Sequence, residues 1–218
     1  AEYQRRLSLA KVLAEKEMIL KEYFEAISVG SMEAVVMNKQ NYKQIMKEKG
    51  CSEDDILEVE NTIKRAEENN ESVDALHVND QIFILADYVT SVEKGRVSYV
   101  HERQHNITKH NPSLIQRVLS LGLSREQLQK IVRTLAGTDY YDKKSNDVLA
   151  DEILSSTMEI AYTFDDFSVI LSKLGLPIEL INLINEINNV IKTCLKLSLK
   201  NMWKKKFRFI LMSLICAL

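Results

Sequence analysis

The chain has 218 residues, of which 45% are hydrophobic and 28% charged, with six glycines, two prolines and a formal net charge of −2. That balance supports a buried core and excludes both a bilayer-spanning bundle and a disordered polyelectrolyte. So few turn-forming residues argue against a β-sandwich, a TIM barrel or a Rossmann fold, and for helices.

The pattern predicts a first helix over 2–27, with apolar positions at Leu9, Val12, Leu13, Leu20, Phe24 and Ile27 and a stop at Gly30. A second is expected from Ser31 to Glu48, ending at Gly50. A third starts at Ser52, where Asp55 stands three residues on, as in a capping box. Asn69-Asn70-Glu71-Ser72 is the most loop-like stretch. It divides a segment 1–70 from a segment 71–218, read as parts of one continuous domain. Gln81 to Glu93 is expected to be helical and to stop at Gly95. Its run Ile82-Phe83-Ile84-Leu85 would suit a buried strand, but one run cannot make a sheet. A further helix follows over Arg96 to His110.

Beyond this point the punctuation is clearer. Pro112 fits the first turn of a helix ending near Leu121. Ser124-Arg125-Glu126-Gln127 is a capping box, and Gly137 closes the helix that it opens. Gly137 to Lys144 reads as an exposed loop. Thr163 to Asp166 opens another helix, Gly175 closes it, and Pro177 begins the last and longest. Leu121-Gly122-Leu123-Ser124 and Leu174-Gly175-Leu176-Pro177 repeat one junction, with Gly50-Cys51-Ser52 as a weaker copy. The glycines are 72 and 53 residues apart, whereas a repeat array keeps one period. The expected fold is all-α: an irregular helical bundle or short α-solenoid of about eight to ten helices.

One motif carries catalytic chemistry. His101-Glu102-Arg103-Gln104-His105 is HExxH. On a helix, positions i and i+4 share a face, so His101 and His105 can ligate one Zn²⁺ while Glu102 serves as general base. A third ligand is needed, and His110, Glu126, Asp139, Asp142 and Glu152 are the candidates downstream. Two features weigh against the motif. Arg103 puts a cation beside a dication, and zinc peptidases of this kind set a sheet next to the motif helix, where the sequence suggests none. The second Glu-x-x-His motif of a di-iron bundle is missing, as are the GxSxG, P-loop and GxGxxG motifs.

The charge is unevenly spread. Residues 187–218 hold seven bases and no acid, so the rest of the chain carries −9. Lys192, Lys196, Lys200 and Lys204 recur every four residues opposite Ile187, Ile191, Leu195 and Leu199, the pattern of a basic amphipathic helix. Trp203, Lys204, Lys205, Lys206 and Arg208 then lead into an apolar run to Leu218. That run is short for a membrane span. It suits a last core helix, an interfacial anchor on an anionic membrane, or an insert into a partner's groove. The compact basic segment on an acidic chain disfavours nucleic acid. Three widely spaced cysteines and no apolar leader fit an intracellular, reducing compartment, with peripheral membrane association as an option.

Two functions follow as expectations. The first is a non-enzymatic interaction or adaptor module, without cofactor, that engages a protein partner and is membrane-associated through its basic C-terminus. The alternative is a zinc metallopeptidase-like hydrolase centred on His101, Glu102 and His105.

Overall fold

The computed structural model describes residues 2–27 and 33–201, with side chains through residue 190. The chain is mostly helical, an irregular arrangement of ten α-helices among the described residues, with three short strands. It divides into two compact units, residues 1–103 and 104–218.

The first unit is built on a strand buried on both faces. Strands β1 (Ala34–Met37), β2 (Ala75–Val78) and β3 (Gln81–Leu85) form a sheet in the order β1-β3-β2. β1 runs parallel to β3, with Ala34 opposite Ile82, and β2 runs antiparallel to it. On one face Ile82 and Ile84 pack with Leu20, Phe24 and Tyr99. On the other, Phe83 and Leu85 pack with Met46, Ile56 and Val59. A strand covered on both sides reads as a continuous apolar run, which is why Ile82 to Leu85 shows no alternation.

This sheet corrects the helix expected over 81–93. Asn79 and Asp80 both adopt left-handed conformations, with φ of 49° and 59°. They form a two-residue hairpin turn whose twist matches the strands on either side. The helix expected over 31–48 is likewise β1 followed by α3 (Tyr42–Glu48). Asn38 turns the chain between them. Its Oδ1 accepts from the amides of Gln40 and Asn41, and its own amide donates to Asn41 Oδ1 at 2.7 Å. Such local bonds offer the backbone an alternative to a helix.

The helix expected over 2–27 is two helices, α1 (Glu2–Leu9) and α2 (Leu13–Ile27). Glu15 reaches back to accept from the Lys11 amide at 2.9 Å and starts α2 afresh. The two then pair through Arg6–Glu22 and a Tyr3–Tyr23 edge contact. The Ser52–Asp55 capping box opens α4 (Glu53–Glu68) as expected. Residues 69–74 then connect α4 to β2 within the first unit. Gly95 does not stop a helix; it lies inside α5 (Val92–His110). A Cβ there would meet Val89 Cγ1 at 3.1 Å and Phe24 Cζ at 3.3 Å, so glycine allows this close approach.

The second unit is a helical bundle: α6 (Ser113–Leu119), α7 (Arg125–Ala136), α8 (Asn146–Thr163), α9 (Phe167–Lys173) and α10 (Ile178–Asn201), with a 3-10 turn at Tyr140–Lys143. α8 is its central helix and contacts α6, α7, α9 and α10. Leu149, Ala150, Ile153, Leu154 and Met158 are buried among Leu128, Val132, Leu171, Leu180 and Ile184. The Ser124–Gln127 capping box forms as expected.

α10 carries the backbone of Lys192, Lys196 and Lys200, whose side chains lie outside the described ones. Trp203, Lys204, Lys205, Lys206, Arg208 and the apolar run to Leu218 lie outside the described residues altogether. No described helix is long and apolar enough to cross a membrane.

Two predictions follow from this architecture. Gly122 and Gly175 hold φ of +72° and +78° with open space around them, so a side chain there meets only backbone strain. Gly122→Val and Gly175→Val each lower stability by about 1 kcal/mol or more, read as a lower urea midpoint at an unchanged slope. The second concerns Glu17, buried below β1. Burial pushes its carboxyl up, but Lys21, Asn38 at 2.5 Å and Asn41 more than offset this and hold it below its ordinary value of 4.5. A carboxylate depressed by folding adds stability above its unfolded pKa and loses it as the pH falls through the folded one. Glu17→Gln therefore destabilises the protein at pH 7, and its deficit against the native chain shrinks as a denaturation series is taken below pH 4.5.

Candidate metal centre

A central helix buried on all sides is expected to be apolar throughout. α8 departs from this in one stretch: Glu152, Ser155, Ser156 and Thr157 are all buried, Glu152 to 3% exposure. Asp151, Glu152, Ser155 and Ser156 share one face, at spacings of one and four residues along the helix. Buried polar groups need partners, and a buried carboxylate needs positive charge nearby.

The last turns of α5 supply those partners. His105 Nδ1 lies 2.8 Å from Asp151 Oδ2 and 3.1 Å from Ser155 Oγ. Its other nitrogen, Nε2, lies 3.7 Å from Glu152 Oε2. Ser156 donates to the second oxygen of that carboxylate, Oε1, at 3.0 Å. Thr108, one turn after His105, donates to Asp151 Oδ1 and also contacts the carbonyl oxygens of Gln104 and His105.

His101 stands one turn before His105 on the same unbroken helix, so α5 itself sets the two imidazoles side by side. A ligand atom from each of His101, His105 and Glu152 lies within 4.8 Å of the other two. Ligand atoms around a tetrahedral zinc with bonds of about 2.0–2.1 Å are about 3.4 Å apart. The pair of His105 Nε2 and Glu152 Oε2 is already close to that spacing. The donor set suits a borderline divalent cation.

Of the expected residues, then, His101 and His105 come together, and the third donor is Glu152 among the acids named from the sequence. The others are placed elsewhere. Glu126 accepts from Ser124 Oγ at the start of α7, its carboxyl held low by its own amide and that hydroxyl. Asp142 lies 3.5 Å from Arg133, Asp139 precedes the 3-10 turn, and His110 ends α5 in an exposed position. Glu102 is half-buried on α5 and is not one of the converging donors.

Two observations bear on the sequence objections to the motif. Arg103 follows His101 by two positions, about 200° around the helix, so it leaves from the side opposite the imidazole pair. A sheet does accompany the motif helix: Tyr99 on α5 packs in the cluster that holds Ile82 and Ile84 of β3.

The expectations did not include Asp151, Ser155, Ser156 or Thr108. Their one sequence signal is a pair of acids between Leu149-Ala150 and Ile153-Leu154, a polar break in an apolar helix. No protein-family model, no curated protein and no solved structure matches the chain.

Proposed function

We propose that the chain is a zinc-dependent hydrolase whose metal is held by His101, His105 and Glu152. The observation that carries this reading is the convergence of two motif histidines with a buried carboxylate from a different helix. Two carboxylates flank the imidazole of His105, and a cation held at Nε2 would answer their charge. The residues fit the group: three protein donors leave a coordination position open, as in catalytic rather than structural zinc sites.

A zinc ion held there would supply Lewis acidity and a water acidified toward neutral pH. The chain's own groups do the rest. Glu102 follows His101 on the helix, at the flank of the imidazole pair, and is the group to take a proton from the attacking water and return it to the leaving group. Ser156 occupies one oxygen of Glu152 and would leave the other free to hold the metal. The expected interaction module, with a protein partner or an anionic membrane surface, stands as a second proposal. It is carried by the basic residues from Lys192 to Arg208.

The purified chain, titrated with ZnCl₂ and assayed by elemental analysis, is expected to hold close to one Zn²⁺. His101→Ala with His105→Ala abolishes the binding, and Glu152→Gln weakens it at least tenfold. Glu102→Gln keeps the metal but loses hydrolysis of a fluorogenic casein. A native chain that stays metal-free, or a Glu152→Gln chain that binds as tightly as the native one, overturns the assignment.

A further inference from the structure

We propose that Asp151 is the positioning residue of this centre, holding the His105 imidazole with its proton on Nδ1 and its Nε2 lone pair directed at the metal. The inference rests on the metal assignment above and adds a residue that makes no bond to the metal.

A neutral imidazole carries its single ring proton on either nitrogen, and only the nitrogen without it can ligate. In His105 the nitrogen that faces Glu152 is Nε2, so ligation requires the proton on Nδ1. Asp151 Oδ2 stands 2.8 Å from Nδ1 and, as a carboxylate, can only accept. A metal on Nε2 would leave the ring's one proton on Nδ1, where Asp151 accepts it. Its charge also makes the imidazole a stronger donor to the metal.

The carboxylate is itself held in place. Its second oxygen, Oδ1, takes the Thr108 hydroxyl from the same helix that carries His105. Asp151 is thus fastened to α5 at two points one turn apart, which sets the carboxylate plane against the imidazole. Ser155 Oγ, 3.1 Å from Nδ1, adds a second acceptor on the same side. Asp151 addresses Nδ1 while Glu152 addresses Nε2, so adjacent acids on α8 take different roles on one ring.

The test combines zinc affinity, measured by chelator competition, with ¹⁵N spectra of the zinc-loaded histidine side chains at pH 8. Asp151→Ala is expected to bind zinc about 10–100-fold more weakly than the native chain. Asp151→Asn keeps an acceptor without the charge and falls between the two. In the native chain the His105 proton resides on Nδ1, and in Asp151→Ala a share moves to Nε2. A residue that merely joins the helices would lower the melting temperature without moving the tautomer. If Asp151→Ala does not fold, Asp151→Asn and the native tautomer decide. Native zinc affinity in a folded variant, or a native His105 protonated on Nε2, overturns this inference alone. A native chain that binds no zinc overturns the metal assignment and this inference with it.

Discussion

Glu152 sits almost fully buried in the middle of the bundle's central helix. A carboxylate in that position is costly unless its charge is met and its oxygens are bonded. Much of the surrounding polar arrangement answers this need. Ser156 takes one oxygen, and His105 from α5 faces the other. Asp151 and Ser155 then settle the far side of the His105 ring. Apolar residues of the same volume would pack this helix at lower cost. The polar stretch is therefore costly to stability, which sets the candidate site apart from the apolar core around it.

The first unit depends on a different constraint, the burial of β3 on both faces. Ile82 and Ile84 look toward α1, α2 and the start of α5, while Phe83 and Leu85 look toward α3 and α4. Tyr99 and the close approach at Gly95 seat the first half of α5 in the same core. The helix that carries the HExxH residues thus begins against packed side chains, and a rigid element is what a metal ligand pair requires.

Local chemistry was legible where it is self-contained. The boxes at Ser52 and Ser124, and the left-handed glycines at 122, 137 and 175, involve residues within a turn of each other. The sheet was not legible. β1 and β3 are separated by more than forty residues, and the β3 run, which would suit a buried strand, shows no sheet until β1 and β2 are beside it. The Asn79-Asp80 turn was the local clue, since two residues suited to left-handed conformations between apolar runs form a hairpin. Gly95 misled for the same reason: a glycine required by a neighbour's side chain is indistinguishable in sequence from one required by a helix end.

The candidate site divides along the same line. His101 and His105 share a face because helical periodicity alone puts them there, and the sequence by itself determined that pair along with the mostly helical class. Which acid completes the set was open among several downstream residues, because nothing in their local spacing ranks them. The packing of α8 sets Glu152 beside Nε2, while Glu126 bonds Ser124 and Asp142 lies near Arg133. Asp151 took its place on Nδ1 through the same helix. Short-range hydrogen bonding and periodicity are written residue by residue. The meeting of side chains some 47 positions apart is set by how their helices pack.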